Sequence, residues 1–173
     1  MTIEEKNWTD ILRDCRLNEW DRLPDLELYM DQVIGYMEKQ LAVYGTGDAK
    51  TLTPSMINNY VKEGVIPRPE HKKYNRTHLA MLTMICAFKQ IMPIADIKKL
   101  LDEQNAVSME QSYNSFCETQ ERALTEMAQA VSNAGEDERT ALAARLIAEA
   151  EARKIAAQYL LRGNEESEQQ KKK

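Results

Sequence analysis

Ser55, Asn58, Asn59 and Lys62 fall within Pro54-Ser55-Met56-Ile57-Asn58-Asn59-Tyr60-Val61-Lys62 of a 173-residue chain. As the outward residues of a helix they suit a major groove, where helix side chains reach base edges and Asn can make two hydrogen bonds to adenine. A proline-containing basic stretch follows, with Arg68, Lys72 and Lys73 at spacing that suits flanking phosphates. This chemistry is recognition of a polyanion rather than bond making. The other candidate phosphate contacts are Lys50, Thr53, His71 and Arg76.

Signatures of catalysis are missing from the sequence. It has no Gly-rich phosphate loop, no His-Glu-x-x-His and no Ser or Cys nucleophile with an evident base. No enzyme, cofactor or metal site is expected. His71 and His78 lie seven residues apart with no cysteine cluster nearby, and Cys15, Cys86 and Cys117 are scattered and odd in number. They read as small buried or half-buried thiols in a reducing compartment, and the expected location is cytoplasmic. The acidic N-terminus has no apolar signal region, and the longest apolar run, Ala80 to Phe88, is too short to span a bilayer.

A net charge of −5 argues against a nucleic-acid partner until its distribution is considered. Residues 50–101 carry nine basic and three acidic side chains, a balance of +6; residues 1–49 balance at −6 and 102–173 at −5. A basic module lies between two acidic ones.

The elements that must position these side chains are helical. Gly and Pro number only 6 and 5, which argues against a sandwich or barrel. Capping and periodicity predict helices over 3–19, then from Asp25 through the stripe Leu26, Met30, Val33, Met37, Leu41 and Tyr44 to Gly45 and Gly47. Thr53-Pro54 opens a short helix that Gly64 closes. Residues 65–74 form a loop, Asn75 caps an apolar helix over 76–91, and Pro93 starts a short helix with Ile94, Ile97, Leu100 and Leu101 inward. Met81, Met84 and Phe88 read as core. Ser108 caps a helix with the seam Met109, Tyr113, Phe116, Gln120, Ala123, Met127 and Ala130. Gly135 breaks it, an Ala-rich helix covers 137–161 and ends at Gly163, and 164–173 reads as a disordered tail. The divisions expected are N-terminal helices over 1–49, the basic module over 50–104, a helical hairpin over 105–163 and the tail.

Residues 51–101 resemble the winged helix-turn-helix of the MerR family of bacterial transcriptional regulators. Ile57-Asn58-Asn59-Tyr60-Val61-Lys62-Glu63-Gly64-Val65-Ile66-Pro67 keeps the Ile, Tyr, Gly, aliphatic pair and Pro of that family's recognition helix. His71-Lys72-Lys73-Tyr74 stands where its wing ends, and Pro93 to Leu101 resembles its following helices. The resemblance implies an all-α fold around a winged helix-turn-helix and a DNA-binding regulator, with Tyr60, Gly64, Pro67, Tyr74 and Leu79 holding helix, wing and next helix together. Asn58 replaces the family's Arg and Val61 its Glu, His71 replaces the wing Tyr, and both wing Arg are Lys. Lysine holds phosphate without the planar fork of arginine, so weaker contact per residue is expected. Residues 20–101, including Trp20 to Pro24 and Leu28 to Val33, also resemble an uncharacterised bacterial family, domain of unknown function 1836.

The expected partner is double-stranded DNA, with no membrane. One such module covers roughly 600–1,000 Å² of DNA-facing surface, usually too little for tight specific binding. Residues 108–161 are therefore expected to pair two copies, the other possibility being a hairpin folded back on 3–43. A small-molecule effector between module and hairpin is possible, but no residue identifies one. The rival function is a helical protein-interaction adaptor that has lost DNA binding, consistent with the acidic total and the replaced Arg.

Overall fold

The computed structural model describes residues 16–41, 52–103 and 108–171. They form six α-helices: α1 (Met30–Gln40), α2 (Pro54–Lys62), α3 (Arg76–Phe88), α4 (Ile94–Glu103), α5 (Met109–Asn133) and α6 (Arg139–Lys171). A 3-10 turn covers Trp20–Arg22. Among the described residues there is no β-strand, only two isolated bridges, Leu28 with Tyr74 and Glu70 with Lys73. The described part of the chain is all-helical.

The centre is α3. Every residue from His78 to Cys86 is buried, so this helix has no face left for water. Asn75 Oδ1 accepts the His78 N–H at 3.2 Å and starts it. It stops at Phe88, three residues before the expected Ile91. Pro93 disfavours helical backbone at Met92, and the N–H groups of Ile91 and Met92 both turn back to the Phe88 carbonyl. Helices α1, α4 and α5 pack around α3, contributing Val33, Met37 and Leu41, then Ile97 and Leu101, then Tyr113, Phe116 and Cys117.

The N-terminal expectations need correction. Residues 3–15 of the first expected helix lie outside the described residues, and 16–19 are not helical. The helix expected from Asp25 starts at Met30, because Leu28 and Tyr74 exchange backbone hydrogen bonds at 2.9 and 2.8 Å, which requires extended chain there. Leu26 consequently leaves the stripe and is 77% exposed, while Val33, Met37 and Leu41 keep it. Tyr44, Gly45 and Gly47 lie outside the described residues.

Ser108 Oγ accepts the Gln111 N–H at 3.2 Å and opens α5. Only its first half follows the expected seam. Tyr113 and Phe116 are buried, with Tyr113 Oη donating to the Asn18 carbonyl at 2.8 Å, but Gln120 is half-buried and Ala123 exposed. After the turn at Gly135, α6 runs back to α4, where Gln158 reaches Asp96 at 3.5 Å and Leu161 is buried. The hairpin thus packs through α5 on residues 16–20, where Asn114 Oδ1 accepts the Trp20 N–H at 2.9 Å, and through α6 on α4; residues 3–15 lie outside the described residues. Helix α6 also continues to Lys171, correcting both the end at Gly163 and the disordered tail. One interior glycine costs a helix about 1 kcal/mol, and Glu165, Glu166, Glu168, Gln169 and Gln170 beyond it are all good helix formers.

Urea unfolding checks this division between core and periphery. Ile85→Ala, in α3, should lose about 2–5 kcal/mol of stability. Leu26→Ala, 77% exposed ahead of α1, should change it by no more than about 0.5 kcal/mol.

Candidate nucleic-acid interface

Thr53 Oγ1 accepts the Met56 N–H at 3.2 Å and Pro54 occupies the first turn of α2. Ile57 and Tyr60 are buried beneath the helix, which leaves Ser55, Asn58, Asn59 and Lys62 exposed on its outer face. Gly64, at φ +66°, reverses the chain so that the Val65 N–H reaches the Tyr60 carbonyl at 2.8 Å. Lys98 of α4 donates to the Glu63 carbonyl at 2.8 Å, placing a cation at the negative end of α2.

Val65 and Ile66 are buried and pin the start of the loop, and Tyr74 pins its end. Between them His71 and Lys72 hold φ of 48° and 61°, and the Lys73 N–H donates to the Glu70 carbonyl at 2.8 Å. Positive φ at both central residues is a type I′ turn, which favours Asn-Gly. A His-Lys pair there stores backbone strain and holds both side chains outward.

The helix and this turn enclose a cleft of about 420 Å³ lined by Asn58, Val61, Lys62, Arg68, Pro69, Lys72 and Tyr74. Three cations line it and no carboxylate does. Ser55, Asn59 and His71 are exposed but lie outside the cleft. Thr53 spends its hydroxyl on the cap, and Lys50 lies outside the described residues. Among the expected scaffold residues, Tyr60, Tyr74 and Leu79 are buried, Gly64 supplies the left-handed turn, and the Pro67 ring is exposed.

Two expected phosphate contacts are already engaged within the molecule. Arg76 meets Asp25 at 3.2 Å and lies over the Trp20 ring, and Lys73 meets Glu27 at 3.9 Å and lies over the Tyr29 ring. Both carboxylates are largely exposed, so each pair contributes no more than about 1 kcal/mol. Arg76 Nε is buried without a hydrogen-bond partner. The extended segment 25–29 brings these acids in, and a helical assignment of that segment hid them.

His78 is the other residue that the sequence reading missed. Its Nε2–H donates to the Pro67 carbonyl at 3.2 Å, and its Nδ1 lies 3.1 Å from the Asn75 backbone nitrogen and 2.8 Å from Asn75 Oδ1. Facing the Pro67 carbonyl, which can only accept, His78 carries a proton on Nε2. Its position three residues after the Asn75 cap was the available signal. Burial pushes its pKa below the usual imidazole value, against the opposing pull of the Pro67 carbonyl. Elsewhere, burial raises the Cys86 and Cys117 thiols to about 11 each, so neither is a reactive thiolate; Cys15 lies outside the described residues. Among the described residues no group of three or more His, Cys, Asp or Glu could hold a metal ion, and no helix is long and apolar enough to cross a membrane.

The class this defines is an all-helical protein with a polar helix face and a strained basic turn meeting at one cleft. The chain belongs to the family described as domain of unknown function (DUF1836), whose profile matches residues 18–119. That span ends inside α5, just past Tyr113, Phe116 and Cys117, the residues by which α5 joins the core. Comparison with curated proteins and with solved structures returns no match.

Two measurements check this local physics. Replacing His71-Lys72 by Asn-Gly should stabilise the protein by about 1 kcal/mol, read as a raised urea midpoint. Because the pKa of His78 is lowered in the folded protein, the unfolded chain takes up a proton below pH 6.5 that the folded one does not. Stability should therefore fall as pH drops from 7 to 5.5, and His78→Gln, though less stable at pH 7, should lack that component of the slope.

Proposed function

We propose that this protein is a DNA-binding transcriptional regulator built on a MerR-like winged helix-turn-helix over residues 51–101. In this reading α2 enters the major groove, with Ser55, Asn58, Asn59 and Lys62 toward base edges. The turn at 70–73 is the wing, and Arg68, His71 and Lys72 lie along phosphate. The observation that carries the reading is the cleft between α2 and the turn, where Lys62, Arg68 and Lys72 gather with Asn58 and no acid intervenes. In a chain of net charge −5, such a surface is what a polyanion partner requires.

Two copies would act together through 108–161, since operator half-sites lie about 34 Å apart and one module is small. Ile147, Ile155 and Tyr159, exposed at 70%, 58% and 75% on α6, are apolar surface that a twin would cover. The ion pairs of Arg76 with Asp25 and Lys73 with Glu27 support the rival reading, an adaptor in which the basic surface is neutralised internally.

Fluorescence anisotropy with duplex DNA over a salt series decides between them. Arg68→Ala with Lys72→Ala should weaken binding to all sequences and lower the salt slope by about two per copy, about four for a bound pair. Asn59→Ala should relax preference at particular bases by about 1–3 kcal/mol. Asp25→Asn with Glu27→Gln should tighten binding and steepen the slope by freeing Arg76 and Lys73. No binding by the wild type at about 50 mM salt, where phosphate contacts are strongest, would overturn the regulator and favour the adaptor.

A further inference from the structure

Where α6 returns to α4, the two helices do not close. They leave a groove of about 520 Å³ whose floor and walls include Phe88, Met92, Ile97 and Leu100 on one side and Ala157 and Leu161 on the other. Ile91 and Leu160 stand at its edges, exposed at 57% and 69%. A volume of this size with apolar walls and few polar groups is characteristic of a small-molecule site. It runs along α6 from Ala150 to Leu161, about 16 Å at the helical rise. That shape suits an extended chain.

The polar groups at the groove are unequal. Asp96 accepts a hydrogen bond from Gln158 at 3.5 Å. One turn earlier on α6 stand Arg153 and Lys154. Arg153 has only a 4.0 Å contact with Glu149, with its own side chain 80% exposed, and Lys154 has no ion pair among the described residues. An apolar trough whose charged lining is two adjacent cations against one carboxylate is complementary to a ligand with one long apolar chain and one anionic head.

We propose that the groove between α4 and α6 is a binding site for a free long-chain carboxylate, its chain lying along Ile97, Leu100 and Ala157 and its head held by Arg153 and Lys154. The site does not depend on DNA binding. It nevertheless lies against the helix that carries Lys98, and Lys98 holds the C-terminus of α2. Occupancy and the polar helix therefore share one rigid element.

Calorimetric titration of the full-length protein with myristate, below its aggregation concentration and without DNA, tests the site. The expected result is one saturable site, with the uncharged 1-tetradecanol at least about tenfold weaker for want of the charge-assisted contact. Arg153→Ala with Lys154→Ala should reduce myristate to the level of the alcohol. Leu100→Trp, which fills the trough from a partly exposed position, should abolish binding of both while leaving the urea midpoint unchanged or raised. Myristate without saturable binding, or bound equally by the double variant, would overturn the proposal. So would a wild-type dimer that Leu100→Trp converts to a monomer and that myristate does not enter, because the groove would then be an interface between two copies.

Discussion

Nine consecutive buried residues, His78 to Cys86, impose the geometry of everything else. A helix buried on all sides must be enclosed by other elements, and α1, α4 and α5 enclose this one. Its first turn also fixes the loop before it. Asn75 caps the helix, His78 holds the Pro67 carbonyl, and the Tyr74 and His78 rings meet edge to face at 5.4 Å. The basic turn therefore projects from the most buried part of the molecule rather than from a free loop. Its strained backbone persists because both ends are over-determined.

Charge is organised against the net sign. Acidic residues dominate both ends of the chain, yet the cleft between α2 and the 70–73 turn contains none. Asp25 and Glu27 sit on the extended segment that Leu28 ties to Tyr74. They take Arg76 and Lys73 and leave Arg68 and Lys72 unpaired among the described residues. A polyanion meeting this surface finds some cations ready and others already compensated, which weakens contact per charge without closing the site.

Much of this was legible in the residues. Thr53-Pro54, Gly64, Asn75 and Ser108 acted as the stop and start signals their chemistry allows, and the all-round apolar pattern of 76–88 marked the core helix. The misreadings share one cause: long-range contact overrode local preference. Leu26 fits a helical stripe, but pairing of Leu28 with Tyr74 keeps that segment extended, and no local rule foresees a partner 46 residues away. Gly163 has the chemistry of a terminator, but most of the residues beyond it favour helix. The seam of α5 was periodic throughout, yet only its first half meets α3. Asn58, Lys62, Arg68 and Lys72 were expected as one surface, and the structure brings these four together at one cleft. The acids beside them were hidden by the same misassigned segment.

If the surface of α2 and the following turn reads duplex DNA, it must prefer some sequences over others and do so in pairs. Selection of bound fragments from a random DNA pool, followed by mass measurement of the selected complex, tests it most directly. The expected result is enrichment of an inverted pair of short half-sites about one helical turn apart, or a multiple of that, carrying two copies of the chain. A bound pool indistinguishable in sequence from the starting pool, or no DNA retained at all, would contradict it.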